Sequence, residues 1–416
     1  MHSEEMYRQM LGLTAPWDVE RVDLNMAEQR VDIYVTHPAR QRFACPTCGR
    51  ELGVYDHQPE RTWRHLDSMQ FLTFLHARPP RVSCPDHGVH QVELPWAQTG
   101  SRFTHLFEAL AIDVLLAANV SRAADILRIS WDEAWHLMER AVKRGRAAKG
   151  SDAPSQIGVD EKAIAKRHRY MTLVCDLEAS TVEYIGEGRS EESLAGYFEA
   201  LTEEQREAIE AISLDMWPAY IGACRRHVPD ADSKMVFDRF HIMRHVLDGV
   251  DKVRKQEHKM LLRAGDERLS RSKYLWLTNP HNMTHQARSH FADLKAAELK
   301  TARAWAIKES LRALWDYQTE VWAMKFWKRW YFWATHSRLK PMIDAAKLIF
   351  RHLPNVMTYF THRITNAVAE GLNSKISTVQ KRACGFRNPE HFKTAVFFHC
   401  GGLNLYPAAV THTNAG

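Results

Sequence analysis

A chain of 416 residues with 45% hydrophobic content is long enough for two or three domains, each with a real core. Its 56 basic and 50 acidic residues leave a formal charge of +6, so affinity for a polyanion must come from local patches rather than a global field. No stretch approaches the roughly 20 apolar residues of a membrane span, and Met1-His2-Ser3-Glu4-Glu5 lacks the basic and apolar regions of a signal peptide, so the expectation is a soluble, cytoplasmic chain without a membrane partner.

Seven cysteines, an odd number without secretory context, argue against a disulfide framework. Four-ligand arithmetic works better. Cys45-Pro46-Thr47-Cys48-Gly49 has the form of a zinc knuckle, in which a two-residue gap lets both thiolates reach one tetrahedral ion and Gly49 permits the tight turn. Cys84-Pro85-Asp86-His87-Gly88 supplies a second pair at the same spacing, with His90 nearby as the alternative to His87. The set Cys45, Cys48, Cys84 and His87 predicts a closed structural zinc site of treble-clef or ribbon type, whose long intervening segment is β-rich around Met69 to Ala77. Cys175, Cys224, Cys384 and Cys400 are expected to be packed thiols.

Downstream, Phe103 to Ala118 and Ser121 to Leu127 are helical in pattern, and Ser130-Trp131-Asp132-Glu133 is a capping box starting a longer helix toward Lys143. That is a helix-turn-helix layout whose second helix could enter a major groove, with Trp135, His136, Arg140 and Lys143 outward. Asp132 and Glu133 place negative charge where base contacts usually concentrate, which leaves open that the helices pack as a bridge and the N-terminal module reads the DNA. A basic run, Arg140 to Lys149 with Lys143, Arg144 and Arg146, is the first candidate DNA-binding patch.

Gln156-Ile157-Gly158-Val159-Asp160-Glu161, Tyr170 to Cys175 and Val182 to Ile185 are short β-rich runs separated by polar turns, predicting a three-stranded meander. A helix over Glu191 to Ala211 follows. The strand Ala211-Ile212-Ser213-Leu214 then ends directly on Asp215 before Trp217-Pro218 opens a further helix. Lys234 to Phe237 makes a fifth strand and ends on Asp238, with His241 three residues on.

Seven of the 13 tryptophans lie between His241 and Glu370: Trp276, Trp305, Trp315, Trp322, Trp327, Trp330 and Trp333. The pattern around them is helical, predicting an all-α insertion. Trp322, Trp327, Trp330 and Trp333 suit helix packing or a stacking platform for an unpaired base helped by Lys325, Lys328 and Arg329; Trp327 and Trp330 are the candidates for the latter. On the helical stretch Ile364 to Val379, Ile364, Val368, Leu372, Ile376 and Val379 share one side, and Asn366, Glu370, Asn373 and Ser377 the other. Lys375, Lys381, Arg382 and Arg387 form a second basic group close in sequence to Glu370.

Three acids in this order, Asp160 and Asp215 on strands and Glu370 on a later helix, suit phosphodiester chemistry. Two divalent cations about 3.5–4 Å apart activate a water or a DNA 3′-hydroxyl and steady the departing oxygen, and hard oxygen ligands are natural for Mg²⁺. The segments Ile157 to Glu161, Leu214 to Tyr220, Asp238 to His241 and Asn366 to Ile376 resemble those of the ISL3 family of bacterial insertion-sequence transposases, and the likeness, including the cysteine module, spans nearly the whole chain. The resemblance implies a DDE transposase with a ribonuclease-H-like core in which Asp160, Asp215 and Glu370 hold catalytic Mg²⁺ or Mn²⁺. Asp238 and His241 are similar to a motif following the fifth core strand in several DDE superfamilies and would support the site.

The expected fold class is multidomain α+β: a zinc-binding module over residues 1–98, a helix-turn-helix segment over 99–150, and a ribonuclease-H-like α/β core over 151–245 and 359–416 with its C-terminal tail, interrupted by a Trp-rich helical insertion over 246–358. The implied partners are double-stranded DNA, as terminal inverted repeats and target, and a second copy of the chain or a larger assembly, since two ends must be joined. No phosphate-binding loop of the Walker kind appears, so ATP is not expected; no Gly-x-Ser-x-Gly elbow supports a serine nucleophile. The alternatives are a transposase-derived DNA-binding regulator without cleavage, and a structure-specific nuclease.

Overall fold

The computed structural model describes residues 2–150, 152–165, 169–278 and 283–408. Residues 409–416, the end of the expected C-terminal tail, lie outside them. The chain divides into two compact units, one running to Lys149 together with the segment from Leu403, the other spanning Gly150–Gly402.

In the first unit, α1 (Ser3–Met10) precedes β1 (Asp18–Asn25), β2 (Arg30–Thr36), β3 (Arg42–Ala44), β4 (Glu51–His57), β5 (Arg61–Ser68), β6 (Phe71–Ala77), β7 (Pro80–Cys84) and β8 (Gly88–Gln91). They make two four-stranded sheets, ordered β1-β2-β6-β5 and β3-β4-β7-β8. The β signal read around Met69 to Ala77 becomes β6. β2 carries the same period-2 signal in a segment not singled out from sequence, its Val31, Ile33 and Val35 inward. Trp17, Trp63 and Trp96 anchor this core, with Trp96 edge-on to Trp17 at 4.9 Å and to Trp63 at 5.7 Å.

Three helices follow: α2 (His105–Ala117), α3 (Val120–Leu127) and α4 (Trp131–Ala148). Each opens on a capping side chain, Thr104, Asn119 or Ser130, which accepts a backbone N–H of the first turn. A cap of this kind contributes about 1 kcal/mol. The Ser130–Glu133 capping box forms in both directions, and Arg128 closes α3 in the left-handed conformation, φ 55°.

The second unit opens with β9 (Gln156–Ala165), β10 (Arg169–Asp176) and β11 (Thr181–Glu187), then α5 (Glu191–Glu199), α6 (Glu203–Glu207), β12 (Ala211–Leu214), α7 (Pro218–His227), α8 (Ala231–Lys234) and β13 (Met235–Phe237). The single helix expected over Glu191 to Ala211 is two, because Thr202 and Gln205 form a second capping box that restarts the chain. The five strands make one sheet ordered β11-β10-β9-β12-β13. β10 is antiparallel to both β9 and β11, while β12 is parallel to β9 and to β13. Alternation sends Ile157, Val159, Ile212, Leu214, Met235 and Phe237 into a core with Leu194, Phe198, Tyr220 and Ile242. The opposite face meets Ile364 through Ala211 and Val236.

Helices then dominate: α9 (Arg239–Arg263), α10 (Lys273–Leu277), α11 (His285–Ala296), α12 (Lys300–Arg312), α13 (Glu320–Thr335), α14 (Lys340–Arg351), α15 (Leu353–Met357), α16 (Tyr359–His362), α17 (Ala367–Arg382) and α18 (Pro389–Cys400). Here the stacking candidates need correction. Trp327 and Trp330 are each only 2% exposed, packed against one another at 5.1 Å, and Trp330 Nε1–H donates to the Ile307 carbonyl. One face of α13, with Ala323, Trp327, Trp330 and Ala334, is turned into the core, and it is Trp322 and Trp333 that reach solvent. α17 begins at Ala367, three residues after the expected start, since Ile364 is spent on the sheet face.

Candidate functional site

Strand register builds the acidic site. β12 pairs with β9 through Ser213↔Gly158 and with β13 through Ser213↔Val236. Two residues further along, the same register places Asp160, Asp215 and Asp238 across one rung of three adjacent parallel strands. Alternation puts them on the face away from Ile157, Leu214 and Phe237. His241, in the first turn of α9, lies near two of them: Nδ1 is 4.0 Å from Asp215 Oδ2 and Nε2 3.8 Å from Asp238 Oδ2.

Burial pushes all three carboxyls above the usual carboxylate range, and His241 opposes that push at each. Asp215 raises Asp160 further by like-charge repulsion. Asp238 Oδ2 is buried without a hydrogen-bond partner among the described residues, as are Asn366 Oδ1 and Asn373 Oδ1. These carboxyls and the unpaired amide oxygens are hard donors of the kind a divalent cation takes, and among the described residues no three of Asp160, Asp215, Asp238 and His241 converge within 4.8 Å.

The helix α17 runs along β9. Asn373 Nδ2–H donates to Asp160 Oδ2 at 2.5 Å, Lys162 Nζ–H donates to the Asn373 carbonyl at 3.1 Å and to Ser377 Oγ, and Gln380 Nε2–H donates to the Ile164 carbonyl at 2.9 Å. Two strand residues span roughly 6.6 Å and one helical turn roughly 5.4 Å, so residues about four apart on the helix keep pace with alternate residues of the strand. Gly158 makes the approach possible, because a Cβ there would stand 2.8 Å from Leu177 Cδ2, 3.0 Å from Asn366 Oδ1 and 3.4 Å from Ala369 Cβ. Of the polar stripe read from sequence, Asn366, Asn373 and Ser377 face this seam, while Glu370 is exposed. Among the described residues the carboxylates of Asp160, Asp215 and Glu370 do not meet within 4.8 Å of one another.

Two residues beside the acids escaped the sequence reading. Lys162 follows Asp160 by two on the same strand face, and burial depresses its ammonium while Asp160 opposes. His245 follows His241 by one helical turn and is held low by burial. Strand alternation and the i, i+4 spacing were the signals for each.

The cysteine module assembles as two knuckles, one between β3 and β4, the other between β7 and β8. Ligand atoms of Cys45, Cys48, Cys84 and His87 lie within 4.8 Å of one another, with His87 Nδ1 3.4 Å from Cys84 Sγ. Gly49 and Gly88 follow the knuckles at φ +70° and +79°, which side chains rarely adopt. His90 is turned away, its Nε2 2.5 Å from the His87 carbonyl oxygen. Backbone N–H groups of Cys48 and Thr47 lower the Cys45 thiol, favouring the thiolate. Cys175, Cys224 and Cys400 are buried thiols, but Cys384 is exposed, because it sits in the left-handed turn that ends α17.

The first basic patch is largely spent inside its own unit. Arg140 and Arg144 both pair with Glu108, at 2.6 and 3.3 Å, and Glu108 is only 2% exposed. Arg144 also donates to the Leu405 carbonyl. Trp135 is buried rather than outward, whereas His136 and Lys143 are exposed. Lys375, Lys381 and Arg382 are exposed on α17.

Comparison with known proteins gives a consistent result. Residues 157–396 match the transposase model of the ISL3 family, residues 41–87 the zinc finger of the IS204/IS1001/IS1096/IS1165 transposases, and residues 92–142 the helix-turn-helix domain of transposase family ISL3. The transposase for insertion sequence element IS1001 of Bordetella parapertussis is 26% identical, over 92% of this chain and 95% of its own. That for IS1557 of Mycobacterium tuberculosis is 25% identical over 94% of each.

Proposed function

The chain belongs to the ISL3 family of transposases, and we propose from this premise that it cuts and joins DNA at a divalent-metal site held by Asp160, Asp215 and Glu370. The observation that carries the proposal is the single rung of Asp160, Asp215 and Asp238 at the ends of parallel strands, against which α17 docks Asn373. The sheet order, with β10 antiparallel to the other four strands, suits a ribonuclease-H-like core, and the helices of residues 246–358, most of α9 through α15, suit an all-α insertion between its strands and α17. The boundaries near residues 98, 150, 245 and 358 are proposed with it.

Mg²⁺ or Mn²⁺ bound there would supply the charge that activates an attacking water or 3′-hydroxyl and steadies the leaving oxygen. The protein's own residues prepare that site. Asn373 fixes the Asp160 carboxylate by its amide N–H. Trp217 N–H does the same for Asp215 Oδ1 at 3.0 Å, and His241 lies near enough to Asp215 and Asp238 to oppose the rise of both carboxyls. Glu370 sits one turn before Asn373, so the seam that orders Asn373 also limits where Glu370 can swing. Asp238 and His241 act as supporting residues.

The zinc module and the three helices are proposed to bind the element's ends. The zinc ion, held by Cys45, Cys48, Cys84 and His87, acts as a structural staple, and joining two ends calls for a dimer or larger assembly. Lys143, Lys375, Lys381 and Arg382 remain available for the DNA backbone. The test is Mg²⁺-dependent cleavage and joining of a labelled fragment carrying the gene's flanking repeats. Joined products that vanish in Asp160→Asn while end binding persists support the assignment; joined products from Asp160→Asn at the wild-type rate refute it.

A further inference from the structure

Arg189 lies in the turn between β11 and α5. Its guanidinium carbon stands 4.4 Å from the Tyr170 ring centroid and 4.9 Å from that of Trp217. Guanidinium planes stack favourably on aromatic faces, so the side chain is held between two rings instead of sweeping through solvent. The backbone is held as firmly. Gly188 N–H donates to the Tyr170 carbonyl at 2.9 Å, Thr172 Oγ–H donates to the Gly188 carbonyl at 3.0 Å, and Trp217 Nε1–H donates to the Arg189 carbonyl at 3.0 Å. Because Trp217 N–H also donates to Asp215 Oδ1, two hydrogen bonds connect Arg189 to an acid of the metal site.

The Arg189 side chain is 39% exposed, and its charge partner is Glu161, 3.4 Å from Nη1 and itself 37% exposed. An exposed pair at that distance is worth at most about 1 kcal/mol. Nη1 is the nitrogen that pair engages, and a planar fork with two further donor nitrogens is the group that takes an oxyanion in bidentate fashion. A phosphate engaging two nitrogens of this stacked fork makes one more charge-assisted hydrogen bond than Glu161, which is bonded through Nη1.

We propose that Arg189 is a binding site for a backbone phosphate of the DNA strand that enters the acidic rung, next to the phosphate that is cut. The proposal rests on the metal-dependent transposase assignment above and adds to it a contact outside the metal set. Trp217 serves as its positioning residue, since it grips both Asp215 and Arg189 and sets the spacing between the cut phosphate and the gripped one.

The test uses the full-length protein carrying Asp160→Asn, so that the DNA stays intact, and measures binding to end duplexes bearing a single uncharged methylphosphonate at successive positions. Replacing Arg189 by Gln, which keeps a planar side chain without charge, is expected to weaken binding of the unmodified duplex about 10-fold and to reduce the salt slope by about 0.9. At one position the methylphosphonate should cost the parent the same factor and cost the Arg189→Gln protein nothing. Losses that add at every position, or Arg189→Gln binding as tightly as its parent, overturn the proposal. Should Arg189→Gln fold poorly, Arg189→Lys carries the same cycle, retaining charge without the fork. Failure of the metal-site assignment is read separately, as cleavage by Asp160→Asn in Mg²⁺, and does not disturb the binding cycle.

Discussion

Gly158→Ala tests whether the seam between β9 and α17 controls the chemistry. The added Cβ would lie 2.8 Å from Leu177 Cδ2, 3.0 Å from Asn366 Oδ1 and 3.4 Å from Ala369 Cβ. Leu177 is half-buried and can rotate, but Asn366 is 1% exposed and Ala369 belongs to the wall of α17. Restoring ordinary separations of about 3.5–4.0 Å requires α17 to retreat by roughly 0.5 Å. Overpacking of this kind costs about 1–3 kcal/mol, here toward the lower end because one of the three neighbours yields. The same retreat lengthens the Asn373 to Asp160 contact, 2.5 Å in the wild type, and displaces Glu370 one turn away. A 1 Å displacement in a catalytic constellation costs on the order of 100-fold in rate, so a retreat of half that should slow cleavage by roughly 10-fold, in protein that is still fully folded. The assay pairs a thermal unfolding curve with Mn²⁺-dependent end cleavage at a temperature where both proteins are fully folded. Cleavage at the wild-type rate by a folded Gly158→Ala protein refutes the reasoning.

Asp160→Asn should raise the unfolding temperature of the zinc-loaded protein at pH 7 with no Mg²⁺ or Mn²⁺ added. A carboxyl whose folded pKa is raised binds more protons in the folded state, so its contribution to stability falls as pH rises from about 3.9 through the raised folded value, and the amide removes that penalty. In Mg²⁺ or Mn²⁺ the wild type should gain stability, about 2.7 kcal/mol at a hundred times the dissociation constant, and Asp160→Asn little; a pH and metal series by calorimetry checks both signs. Metal analysis of purified protein should find zinc lost in His87→Ala and retained in His90→Ala. Arg144→Ala should cost about 1–3 kcal/mol in denaturant unfolding, since the buried Glu108 loses one of its two cations and keeps Arg140 and the Ser101 hydroxyl; a loss confined to DNA binding would contradict this. Trp330→Ala should cost about 3–5 kcal/mol and Trp322→Ala under about 0.5 kcal/mol, measured by the same curves.

Much of the site is written locally. Asp160, Asp215 and Asp238 each close a short apolar run, the two knuckles keep a two-residue gap, and Ser130 with Glu133 announces the start of α4; all are short-range patterns whose chemistry acts within a turn or a strand. What tertiary structure decided is which local features meet. Only the parallel register of β9, β12 and β13 aligns three strand ends in one rung and so enlists Asp238 beside the pair. Only the docking of α17 on Gly158 shows Asn373 holding Asp160 while Glu370 stays in solvent. The basic run of α4 looked available because charge alone does not reveal a buried acid on α2, and Glu108 turns Arg140 and Arg144 inward. Likewise, helical spacing marked four tryptophans of α13 but could not say which face the core would take. Local sequence sets capping, strand ends and ligand spacing because those depend on neighbours in the chain; burial, register and ion pairing depend on partners tens or hundreds of residues away, and the fold alone brings those together.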